Sequence, residues 1–83
     1  MSPQDVIKQL DGIARRDARA EVIGACRRAA QTLRAGREGA QLAVLGELQG
    51  LSVAESVRPA VQSIVRWAAG QTAYQNRALT IPQ

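Results

Sequence analysis

The tetrapeptide Gly36-Arg37-Glu38-Gly39 constrains this chain more than any other feature. It separates two long stretches whose apolar residues recur at helical spacing, and glycine is the residue that ends a helix in a left-handed conformation. A chain of 83 residues interrupted in this way near its middle reads as two helical arms folded back on each other. That length supports one domain, near the lower limit of what folds alone.

The first arm opens on Ser2-Pro3-Gln4-Asp5. Ser2 suits the cap, Pro3 the first helical position, and Asp5 the positive end of the helix dipole. Ile7, Leu10, Ala14, Ala18, Val22, Cys26, Ala29 and Leu33 then step by three or four residues. This predicts one helix from about residue 3 to residue 35, with Gly12 as a point of bending and Asp11 paired with Arg15. The turn spans residues 36–39.

The second arm is less regular. Leu42, Leu45, Leu48 and Leu51, flanked by Val44, predict a helical piece over about 40–50, weakened by Gly46 and Gly50. Ser52-Val53-Ala54-Glu55 has the spacing of a capping box, which predicts a restart at Val53. The face Val53, Val57, Val61, Ile64, Val65, Ala68 and Thr72 carries this helix to about residue 78, with a kink at Pro59 and a tail over 79–83. The predicted fold is therefore all-α: an antiparallel helical hairpin with a kinked or broken second arm, of two to three helices.

Apolar residues make up 46% of the chain, but fifteen of them are Ala, and Trp67 and Tyr74 are the only aromatics. So small a core makes association, with a partner or with further copies, a natural expectation. Chemistry is poorly supplied. There is no His, which removes the usual neutral-pH acid–base group. Asp17 and Glu21 sit four apart on what reads as a polar helix face. Cys26 is alone and lies on the apolar stripe, so it reads as a packed thiol, with neither a disulfide nor a zinc site in prospect. The glycines do not form a phosphate loop. No enzymatic activity, metal or cofactor is expected. The N-terminus lacks the pattern of a signal peptide and no apolar run is long enough for a membrane span, so a cytoplasmic protein is expected.

The net charge is +4, ten of the eleven basic residues are Arg, and all seven acids lie at or before Glu55. Such a balance raises nucleic acid as a partner. Leu48 to Glu55, followed by Val65-Arg66-Trp67, resembles fragments of the helix-turn-helix of transposases and small regulators. The match fails at the turn, where Pro59 stands and no Gly does. Arg15, Arg16 and Arg19 are interleaved with Asp11, Asp17 and Glu21. A small DNA-binding regulator is thus the alternative reading, and an inhibitor of phage or plasmid origin a third.

The leading reading is a protein partner. Ala60, Ile64, Trp67, Gln71, Tyr74 and Ala78 form a stripe beside the main apolar face, and together they make a face wider than one antiparallel neighbour covers. Trp67 and Tyr74 either edge the core or anchor another helix. Leu33 to Leu42 and Pro59 to Gly70 together resemble the small co-chaperones of type III secretion needle subunits. That resemblance implies a bacterial, cytoplasmic helical hairpin that pairs with a tetratricopeptide-type chaperone and keeps the needle subunit monomeric before export. The chain departs from it at residues 46–52, at Pro59 and in its tail.

Overall fold

The computed structural model describes the backbone of residues 1–80 and the side chains of residues 1–70. It is all-helical, with α1 (Pro3–Arg16), α2 (Ala20–Ala35), α3 (Ala40–Leu48) and α4 (Arg58–Thr80), and no strand among the described residues. Four helices stand where two to three are expected.

The start of α1 is as the sequence implies. The Ser2 hydroxyl accepts the Asp5 N–H at 3.2 Å and the Asp5 carboxylate accepts the Ser2 N–H at 3.1 Å. The single helix over 3–35 is not formed. Asp17 (φ −118°, ψ 98°) and Arg19 (φ −66°, ψ 137°) are extended, and they divide it into α1 and α2. Gly12 lies within an unbroken α1. Ala14 and Ile23 line one surface cleft, and Ile7 and Leu33 another, so α2 runs back along α1.

The physical reason is burial. A continuous helix would offer Val6, Leu10 and Ile13 the return arm alone to pack on, and a chain this poor in large apolar residues gains by burying them against α2 as well. Folded back, they pack with Val22, Cys26, Ala29 and Leu33 and are buried. No Asp11–Arg15 pair forms; the ion pairs among described residues are Arg19–Asp17, Arg28–Glu47 and Arg58–Glu55.

Gly36 (φ 63°) ends α2 and Gly39 (φ 82°) begins α3, so the tetrapeptide turns the chain through two left-handed residues. Arg28 on α2 meets Glu47 on α3 at 3.0 Å. In α3 the buried residues are Ala40, Val44 and Leu48, while Leu42 is 59% exposed. Steps of four rotate a stripe by about 40° and steps of three by about 60° the other way, so the leucine series cannot stay on one face.

The predicted restart at Val53 also fails. Ser52 and Glu55 form no capping box; residues 51–54 are irregular, residues 55–57 turn, and α4 starts at Arg58. Pro59 therefore occupies the first turn of α4, where its missing N–H costs nothing, and the expected kink becomes a helix start. Val57, Val61, Ile64 and Ala68 are buried against the other helices, and Val53 and Val65 are half-buried beside them. Helix α4 continues to Thr80, past the expected tail boundary, and residues 81–83 lie outside the described ones. Consecutive helices pack on one another, and α4 closes the arrangement by contacting α1.

Candidate functional site

The connection from α3 to α4 passes over α4 and leaves a groove of about 470 Å³ between them. Gly50 (φ 78°) turns the chain out of α3, and the Leu51 N–H donates to the Leu48 carbonyl at 3.1 Å. The floor is apolar: Leu48 and Val61 are buried, and Leu51, Val53 and Val65 are half-buried. Arg58, Gln62 and Arg66, all exposed, form the rim on α4.

One buried carboxylate fixes the outer wall. Asp17, only 4% exposed, accepts the Ala54 N–H on Oδ2 at 2.8 Å. Arg19 donates from Nε to Oδ1 at 2.9 Å and from Nη2 to Oδ2 at 2.7 Å. The Arg19 guanidinium, then the Ala54 N–H, hold the Asp17 carboxyl far below the usual carboxylate range, and the pairing raises Arg19 in turn. A polar face shared with Glu21 is therefore not where Asp17 resides. Its bond to Ala54 sets the position of the half-buried Val53 next to it. Its pairing with Arg19 is local, but the Ala54 N–H that it holds is 37 positions away, and no sequence pattern joins the two.

The sequence-derived stripe divides in the structure. Ile64 is fully buried and belongs to the core. Ala60 and Trp67 are half-buried and pack against that core, Ala60 in a cleft with Lys8 and Arg16. The side chains of Gln71, Tyr74 and Ala78 lie outside the described ones. On the helical wheel, Ala60 and Trp67 fall on one flank of the buried line Val57–Ile64–Ala68, the groove residues Arg58 and Val65 on the other, and Arg66 opposite the line. Sequence reasoning placed the open surface on the Trp67 flank. The groove flank was missed because the loop that brings Leu51 and Val53 to α4 is placed by tertiary contacts, the Asp17–Ala54 bond among them.

The chain matches no protein-family model, no curated protein and no solved structure.

No group of His, Cys, Asp and Glu among the described residues could hold a metal ion. The Cys26 thiol is buried, and burial pushes its pKa up, which keeps it protonated. No described helix is long and apolar enough to cross a membrane. What the arrangement offers is an apolar concavity with cations at its rim.

Proposed function

We propose that this protein is a non-enzymatic helical adaptor that binds a protein partner. The observation that carries the reading is the groove beside α4, whose apolar floor is left open by the described side chains. Apolar concavities with a few polar groups at the rim are the usual seats of peptide segments. The Trp67 flank supplies a second, partly covered surface. A co-chaperone of a secretion-system subunit in a bacterial cytoplasm is a narrower form of the same role. It rests on the resemblance of the turn and the second half of the chain, and the four-helix arrangement differs from that family's two-helix hairpin.

A DNA-binding regulator gains little from the geometry. Residues 49–57 separate α3 from α4, a longer connection than the roughly 3–4-residue turn of a helix-turn-helix.

Photo-crosslinking in the native cell tests the adaptor reading. A photoreactive residue replacing Gln62, on the groove rim, should give a discrete protein adduct, and one replacing Glu38, in the exposed turn, should not. Adducts only between copies of the chain would make it a homo-oligomer. Their absence at Gln62 would remove the groove from consideration.

A further inference from the structure

We infer that the groove takes an acidic amphipathic helix of its partner, anchored by a carboxylate on Arg66; this rests on the adaptor reading and specifies the partner's chemistry. Charge complementarity carries the inference. Among the described residues, Arg58 and Arg66 are the charged ones lining the groove, both are cations, and no acid follows Glu55 in the chain. The two differ in state. Arg58 Nη1 is already 3.0 Å from Glu55 Oε1, whereas Arg66 belongs to none of the ion pairs among the described residues. An apolar floor beside an uncompensated guanidinium attracts a ligand carrying apolar groups next to a negative one.

The floor also selects the form of the segment. Val61 and Val65 are one helical turn apart, and Leu51 and Val53 oppose them. A helix laid along α4 presents side chains at the same i, i+4 spacing, so its apolar edge fits between the two rows. Nucleic acid fits less well. Among the described residues no aromatic ring lines the groove for base stacking, and a single unpaired guanidinium is little for a phosphate backbone.

Selection from a displayed library of random peptides against the full chain is the test, followed by fluorescence anisotropy of the enriched peptides as synthetic probes. Enriched peptides should carry Asp or Glu flanking apolar residues at i, i+4. Arg66→Ala should weaken them about three- to tenfold and Arg58→Ala by less, and Glu55→Gln should strengthen them about twofold by releasing Arg58. All three positions are exposed, and circular dichroism should show unchanged helicity.

Val65→Asp separates this inference from the reading beneath it. Where that variant loses helicity, Gln62→Glu on the exposed rim takes its place. Selected peptides that are basic or uncharged, or indifferent to Arg66→Ala, but are lost in Val65→Asp, would leave the adaptor standing and overturn the acidic partner. Peptides insensitive to every groove variant, or no enrichment, would overturn both. Duplex DNA bound through Arg66 and unaffected by Val65→Asp would assign the cation to nucleic acid and overturn the inference.

Discussion

The Asp17 carboxylate and the Ala54 backbone N–H meet at 2.8 Å across 37 positions of sequence. That bond joins the α1–α2 break to the α3–α4 connection, so the residue that caps α1 with its backbone N–H positions a loop with its side chain. Replacing Asp17 by Ala leaves the Ala54 N–H without its acceptor and releases Arg19. The thermal midpoint should fall by about 5–10 °C, read by circular dichroism at 222 nm. Asp17→Asn keeps one acceptor oxygen and should fall less. Equal midpoints for wild type and Asp17→Ala would show that the loop is held by Leu51 and Val57 alone.

The same carboxylate sets a dependence on acid. Its pKa is depressed in the folded state, so its stabilisation is complete above the unfolded value of about 4 and is lost as pH falls toward the much lower folded one. Asp5 shifts in the same direction, through the hydrogen bond from the Ser2 N–H, but is exposed. Urea midpoints should drop below about pH 4, and more shallowly in Asp17→Asn than in wild type. Superimposable profiles would transfer the acid sensitivity to other carboxylates.

Two apolar positions with similar sequence signals should behave oppositely. Ile64 is fully buried, so Ile64→Ala should cost about 2–5 kcal/mol in denaturant unfolding. Leu42 is 59% exposed, so Leu42→Gln should change stability by less than about 0.5 kcal/mol. A large loss at Leu42 would indicate that something covers it in solution.

Glycines offer a similar contrast. Gly46 lies inside α3 and a Cβ there meets nothing within 4 Å, so Gly46→Ala should stabilise by about 0.5–1 kcal/mol. Gly36 holds φ 63°, and Gly36→Ala should destabilise by about 1 kcal/mol despite equally open space. Chemical denaturation of the two variants side by side decides the sign at each.

These contrasts mark how far the fold can be read from residues. Ser2-Pro3-Gln4-Asp5 and Gly36 were legible because capping and left-handed turns depend on neighbours only. The break at residues 17–19 was not, because Ala14, Ala18, Val22 and Cys26 keep a helical rhythm straight through it and none of residues 17–19 is Gly or Pro. Pro59 was visible, but its role depends on whether a helix starts before it or at it, which the loop over residues 51–57 decides. Of the candidate surface, Ala60 and Trp67 are half-buried at the edge of the core, whereas Ile64, which the sequence places on both the main apolar face and the stripe, is buried with the former. Which flank of α4 the loop leaves open is a tertiary outcome.

The two-glycine turn has a practical consequence. All of residues 36–39 are exposed, and they lie a full α2 length, about 24 Å, from the Asp17 end. Connections of that kind accept inserted sequence readily. A fluorophore or affinity handle spliced between Arg37 and Glu38 would therefore report on a captured partner without standing in its way.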